Sequence, residues 1–305
     1  MKFRDKKFVL GVLIGLLIFN ILAWFVVYDL SQIRYLEVIF FDVGQGDAIF
    51  IKTPQGHQIL IDGGPDSVIL EKLGKELPFY DRAIDLVILT HPESDHLTGL
   101  LDVLRSYKAK NILWTGVTRD TGTFRKWQEL IEKEKAEIFI AKAGQKITIG
   151  KTSFEILFPF ENLENKSVKD ANNTSIVLRL DFGEISLLFT GDIYKSAERE
   201  LLSLASRRDE SLLHPSLRSG KQLDADVLKV SHHGSKTSTA EEFIIVVSPE
   251  IAVISVGRNN SYGHPHQETL DTLEKYGIRI FRTDFNGDIK IISDGINYGV
   301  SNFQN

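Results

Sequence analysis

The stretch "HPESDH" places His91, Glu93, Asp95 and His96 within six residues, directly after the apolar run "DLVILT" (85–90). Two imidazoles and two carboxylates at this density are what a borderline or hard divalent cation needs. The pattern returns at a distance. His232 and His233 follow "DVLKVS", Asp192 follows "SLLFTG", His264 and His266 follow "VISVGRNNSYG", and Asp62 ends "ILID". Six of the eight histidines thus stand in three loops, each after an apolar run. Each cluster alone has a plainer reading. Asp95 is also a good helix cap, Asp192 a turn residue, His232 and His233 satisfied surface histidines, and His264 a turn former before Pro265. The set as a whole reads as a metal site.

Composition narrows the chemistry. The chain has no cysteine, which excludes disulfides, zinc–thiolate sites and thiol catalysis. His, Asp, Glu and Asn are the ligands left. Net charge is −5, so a strongly basic surface is absent. A local counterweight exists in Arg207, Arg208, Arg218, Lys221, Lys229 and Lys236, around the polar stretch 206–222 and the "HHGS" loop. They read either as a phosphate track or as a solvated loop, and 206–222 as a mobile lid.

The elements that must position these residues are β-rich. "YLEVIFFDV" (35–43), "DAIFIKT" (47–53) and "HQILIDGG" (57–64) read as strands, and "DLVILT" as a strand covered on both faces. Helical spacing follows at 96–107 and 124–135, with strands at 111–116 and 136–141. Hairpins are predicted to turn at Gly150-Lys151, at Gly183 and around Asn286-Gly287, with helices near 194–205 and 266–276. The order predicts an α/β protein of two mixed sheets packed face to face with helices outside. Strand ends on one edge then bring the polar loops together.

The N-terminus differs. Lys2, Arg4, Lys6 and Lys7 (tail 1–7) precede an apolar run, Phe8 to Val27, with Asn20 as its one strongly polar side chain. A helix of about 20 apolar residues spans a bilayer core, so 8–28 is predicted to be a transmembrane anchor. The alternative, a secretory signal, lacks an A-x-A-like site after the run. Basic residues before the span place the N-terminus in the cytoplasm and the rest outside, on a single-pass cell-membrane anchor. Trp24 and Tyr28 suit the outer interface.

In the order HxxxDH, GD and HHGS, the chain resembles the metallo-β-lactamase superfamily. "FFDVGQGDAIFIKTPQGHQILIDGG", "LTHPESDHLTGL", "NNTSIVLRLDFGEISLLFTGD", "VLKVSHHGSKTS" and "SVGRNNSYGHPHQETL" resemble the hydrolase domain of the competence DNA-uptake channel proteins (ComEC). The resemblance implies a four-layered αββα sandwich over 34–300, tethered by one span where the channel proteins have many. It implies that Asp95, His96, Asp192 and His233 form the second metal position and His91 the first. Glu93 stands where the superfamily motif has a second His, and Asn172 or Asn173 falls where it has a further one. Asn173 is taken as the ligand. This oxygen-rich set suits Mn²⁺ or Mg²⁺ alongside Zn²⁺, as one or two ions. Asp95 is expected to orient a water, and His264 to meet the scissile phosphate or protonate the leaving oxygen. Asp42, Gln45, Asp47, Asp62 and His232 are expected to support the ligands, and Asn259, Asn260 and Tyr262 to bind substrate. The implied activity is a nuclease on DNA, with a single strand as the expected substrate, outside the membrane, and the implied partner is a separate DNA-uptake channel protein. The alternatives are a hydrolase of a small phosphodiester, lactam or lactone, and a binding module with a decayed site.

Overall fold

The computed structural model describes residues 3–31, 35–205 and 223–303. The proposed lid, with Arg207, Arg208, Arg218 and Lys221, lies outside the described residues. The chain divides into two units, Met1–Arg34 and Tyr35–Asn305. The first holds one helix, α1 (Phe3–Ser31), in which Lys6–Phe25 is long and apolar enough to cross a membrane.

The second unit is a sandwich of an eight-stranded and a seven-stranded sheet. The first sheet includes β1 (Leu36–Phe40), β2 (Ile49–Lys52), β3 (Gln58–Ile61), β4 (Ala83–Leu89), β5 (Lys108–Trp114) and β6 (Glu137–Ile140). The second is built from β7 (Lys146–Ile149), β8 (Thr152–Phe158), β9 (Val177–Phe182), β10 (Ile185–Phe189), β11 (Val227–Lys229), β12 (Ile251–Ile254) and β13 (Arg279–Arg282). The period of two along each strand sends alternate residues to opposite faces. In β4, Leu86 and Ile88 enter the core between the sheets, while Val87 and Leu89 meet α2 (Val68–Glu76), α3 (Ser94–Ser106) and α4 (Gly122–Glu134). In the other sheet Leu187 and Phe189 face inward, and Leu188 meets α5 (Lys195–Ala205) and α6 (Glu241–Val247). Helix, sheet, sheet and helix form the four αββα layers. Double burial is why these strands read as unbroken apolar runs.

Two sequence expectations are corrected. Asn286-Gly287 is not a hairpin turn. It ends the short helix Thr283–Asn286, where the chain crosses between sheets, and the last hairpin, β14 (Asp288–Ser293) with β15 (Tyr298–Phe303), turns at 294–297. Asp95 lies in the first turn of α3, not in a loop before it.

What positions the site is the parallel part of each sheet. Strands β3 to β6 run parallel in one sheet and β10 to β13 in the other. Their C-terminal ends carry Asp62, His91, Asp192, His233 and the 255–264 loop, and parallel sheets characteristically bind ligands at that edge.

Candidate metal centre

Helix α3 carries Asp95 and His96. It docks backbone to backbone on the loop after β3, with Gly63 N donating to His96 O at 2.8 Å and Gly99 N to Gly64 O at 3.0 Å. A Cβ on Gly99 would come within 1.9 Å of Gly63 O, so the approach requires glycine. That docking sets Asp62 beside His96. Asp192 is held after β10 by its own N–H on Ser175 Oγ, 3.0 Å away. His233 arrives through a turn in which His232 and His233 both have left-handed φ, 49° and 54°. Side-chain-bearing residues there carry roughly 1–2 kcal/mol of strain each, and such strain concentrates at functional sites.

The four side chains meet. One donor atom from each of Asp95, His96, Asp192 and His233 lies within 4.8 Å of every other. His96 Nε2 and His233 Nε2 are each 3.3 Å from Asp192 Oδ2, and Asp95 Oδ2 is 3.4 Å from His233 Nε2 and 4.0 Å from His96 Nε2. A tetrahedron with bonds of about 2.1 Å has edges of about 3.4 Å, so the spacing fits one ion. The hydrogen bonding agrees. Both Nε2 atoms are buried without a hydrogen-bond partner, while the other ring nitrogens are committed. His233 Nδ1 donates to Ser255 O at 2.8 Å, and His96 Nδ1 donates to Asp62 Oδ2 at 2.8 Å. A ring that donates through Nδ1 offers the Nε2 lone pair to a metal.

Asp62 also sets a third ring. Thr90 Oγ1 donates to Asp62 Oδ2 at 2.6 Å, which uses its proton. The 3.0 Å contact from Thr90 Oγ1 to His91 Nδ1 must therefore be donated by His91, and its buried Nε2 is again left without a partner. One carboxylate fixes the tautomers of two histidines.

The electrostatics show a cluster poised for a cation. Burial opposes charge on His96, but Asp192, Asp62 and Asp95 outweigh it and hold its pKa well above the imidazole range. Burial likewise opposes charge on His233, and Asp192 and Asp95 raise its pKa to about 10. Asp192 responds in kind: burial works against its charge, yet His233, His96 and Lys229 hold it well below the usual carboxylate range. Protons on the imidazoles balance these carboxylates, and a divalent ion would displace them.

Other predicted residues stand around the cluster. Glu93 lines the same cleft, where Arg119 Nη1 pairs with its Oε1 at 3.0 Å and Ala171 N–H points at the same oxygen. Asn173 is turned away, accepting from Tyr194 N and donating to Ser196 Oγ, both at 2.8 Å. Its neighbour Asn172 faces the cleft and lies 3.2 Å from His232 Nε2. Asp42 supports the Gly44 turn and touches no imidazole. Asp47 lies 3.6–3.8 Å from two imidazoles but bonds to Lys229. Gln45 lines the cleft and accepts from Gly257 N at 3.2 Å. His232 is fixed between Asn172 and Thr237. Asn260 clamps its own loop, binding Gly257 O, His264 O and His264 N. Asn259 is exposed and outside the cleft lining, which includes Tyr262 and His264. Burial, then His233 and His232, push the His264 pKa down to about 4, so it is neutral near pH 7 and no standing acid. Sequence reasoning missed Thr90, Ser255 and the interior position of Lys229.

The sequence profile of the metallo-β-lactamase superfamily matches residues 41–258. The chain is 35% identical over 271 residues to ComE operon protein 3 of Bacillus subtilis, covering 83% of this chain and 32% of the relative. It is 30% identical over 273 residues to Competence protein ComA of Neisseria gonorrhoeae, covering 88% and 34%. The chain thus matches about a third of the length of these relatives. Among solved structures, the metallo-β-lactamase fold protein YhfI of Bacillus subtilis superposes with a TM-score of 0.52 at 13% identity, over 84% of this chain and 99% of that one, a likeness of fold.

Proposed function

We propose a function on one premise: the chain belongs to the metallo-β-lactamase superfamily. It is a metal-dependent hydrolase of that superfamily, and its reaction is cleavage of phosphodiesters, with single-stranded DNA outside the cytoplasmic membrane as the substrate. The observation that carries this is the four-donor cluster, in which two imidazole Nε2 atoms and two carboxylates converge with no other partner for the nitrogens. His96, His233, Asp192 and Asp95 would hold a divalent ion, which would supply Lewis acidity for the hydrolysis. Mn²⁺ suits the mixed oxygen and nitrogen donors.

The chain's own residues do the rest. The Asp95 side chain is 30% exposed, whereas those of His96, His233 and Asp192 are at most 3% exposed. Asp95 is therefore the ligand that meets water and substrate, and its carboxylate orients the attacking water. His264, neutral and facing the cleft, hydrogen-bonds the phosphate. Four rings cross this face: Tyr194 to His232 at 5.4 Å, His232 to His264 at 5.4 Å, and His264 to Tyr262 at 5.7 Å with planes 21° apart. Tyr262 is 65% exposed, a platform on which an unpaired base stacks. This row favours a nucleotide over a lactam, and the competence-protein relatives favour DNA. A second reading, a small phosphodiester such as a cyclic dinucleotide, would use the same four-donor cluster.

Lys6–Phe25 tethers the domain to the membrane, with the basic tail inside. Protease added to intact protoplasts degrades the sandwich in this topology, and full protection would refute it. The full-length protein in detergent, given Mn²⁺ and labelled single-stranded DNA, RNA or a cyclic dinucleotide, is expected to cut DNA and to stop in EDTA. Cleavage of the cyclic dinucleotide alone would keep the chemistry and replace the substrate. No cleavage of any by metal-loaded protein would leave a binding module.

A further inference from the structure

Lys229 stands at the end of β11 with its side chain 1% exposed. Its Nζ donates to Gly191 O at 2.9 Å, contacts Asp192 Oδ1 at 3.4 Å and pairs with Asp47 Oδ2. The two oxygens of Asp192 are therefore divided. Oδ2 faces His96 and His233, and Oδ1 faces the ammonium. A carboxylate that bridges two ions through its two oxygens needs both free, and here Oδ1 faces a fixed positive charge. Asp47, Asp62 and His96 also gather closely enough to suggest another cation group. That group already holds a cation, because His96 Nδ1 is committed to Asp62 and the Lys229 ammonium stands on Asp47 Oδ2, although Asp47 Oδ1 has no hydrogen-bond partner. Of the remaining first-position residues, Glu93 is paired with Arg119 and both ends of the Asn173 amide are used, which leaves His91 Nε2 as the one first-position donor without a partner.

We infer that Lys229 is a built-in cation in place of a second metal ion, so that the centre holds one divalent ion per chain. The inference rests on the metal-centre reading above. Lys229 is a positioning residue: it reaches the ion only through Asp192. It neutralises part of the buried carboxylate charge that a second divalent ion would otherwise neutralise, and its repulsion keeps that ion away.

The test is ion stoichiometry, independent of turnover. Full-length protein in detergent is stripped with chelator and titrated with Mn²⁺ by calorimetry and equilibrium dialysis. The wild type is expected to bind one ion tightly and a second far more weakly. Lys229→Met should tighten the second ion by about tenfold or more, because a unit positive charge within a few ångströms is gone. Removing one partner of a buried ion pair can unfold a protein, so the double variant Asp47→Asn with Lys229→Met removes both; with the local net charge unchanged it is expected to show a smaller gain, from freeing Asp192 Oδ1. Lys229→Arg keeps the charge and the one-ion behaviour, whereas a purely structural role for Lys229 would leave the second affinity unmoved in every folded variant. Two tight ions in the wild type, or a folded double variant with unchanged second-ion affinity, would overturn the inference alone. A wild type that binds no ion would overturn the metal-centre reading and the inference together.

Discussion

The two ends of strands β3, β4 and β5 serve opposite purposes. Toward their N-terminal ends lies a hollow of about 660 Å³, walled by Ile59, Leu86, Leu113, Ile147 and Phe139. At the C-terminal ends the metal cleft measures about 180 Å³. The hollow is the larger space, yet its polar rim is satisfied: Asp85 accepts from Lys110 Nζ at 2.7 Å and from Gln58 N at 2.8 Å. The cleft is small, its backbone is held at left-handed φ at Asp62, His232 and His233, and four imidazoles there, those of His91, His96, His233 and His264, have a buried nitrogen with no partner. Buried polar groups are almost always paired. Unmet coordination, not volume, marks the end that does chemistry.

The contrast breaks most sharply with paired substitutions. Asp95→Ala removes a ligand and the water-orienting carboxylate, and DNA cleavage is expected to fall by orders of magnitude. The fold should hold, as thermal unfolding of the variant will show, because Asp95 is partly exposed in the first turn of α3. Leu113→Ala in the hollow should do the reverse. It costs about 2–5 kcal/mol of stability while turnover per folded molecule stays near wild type. Comparable loss of turnover in both variants would erase the distinction between the two ends.

Asp62→Asn tests the shared anchor of His91 and His96. Asn tolerates the left-handed backbone at this position, φ 58°, but cannot stand in for the carboxylate. Metal affinity should fall about 10–100-fold, as read by titration with a fluorescent chelator. An unchanged affinity would mean that His96 needs no such anchor. Tyr262→Ala should raise the KM for single-stranded DNA and leave kcat nearly unchanged, by an amount matching the roughly 1–3 kcal/mol of one base stack. Equal loss with an abasic substrate would remove the stacking role.

The smallest effect is on stability against pH. In the metal-free protein His233 has a folded pKa raised to about 10, against its ordinary 6.5. A raised histidine adds stability below the unfolded pKa, and that stability drains away as pH rises through the folded one. In EDTA, Tm is therefore expected to decline between pH 6.5 and 10. Saturating Mn²⁺ replaces the proton and flattens the decline. Identical slopes with and without metal would show that the ion does not take the place of these protons.

Much of the centre was legible in the sequence because its ligands follow apolar strands at local spacing. Asp95, His96, Asp192 and His233 could be named from "HPESDH", "TGD" and "HHGS", and doubly buried runs such as "DLVILT" foretold the parallel strands. Side-chain partners distant in sequence were not legible. Nothing near Glu93 announces Arg119, and nothing in "NNTS" tells which Asn turns inward. Lys229 was read as part of a phosphate track or a solvated loop, and both readings place it at the surface. The signal was there: a lysine inside the apolar run "VLKV" needs a buried counter-charge, and Asp47 and Asp192 supply it.

The most direct test is metal content. Full-length wild-type protein, purified without chelator and analysed by mass spectrometry for bound metal, should carry about one divalent ion per chain, the count set by the four-donor cluster. His233→Ala, folded by circular dichroism, should carry almost none. A His233→Ala protein that keeps its full ion would contradict the account, since the ion would then be held by other residues.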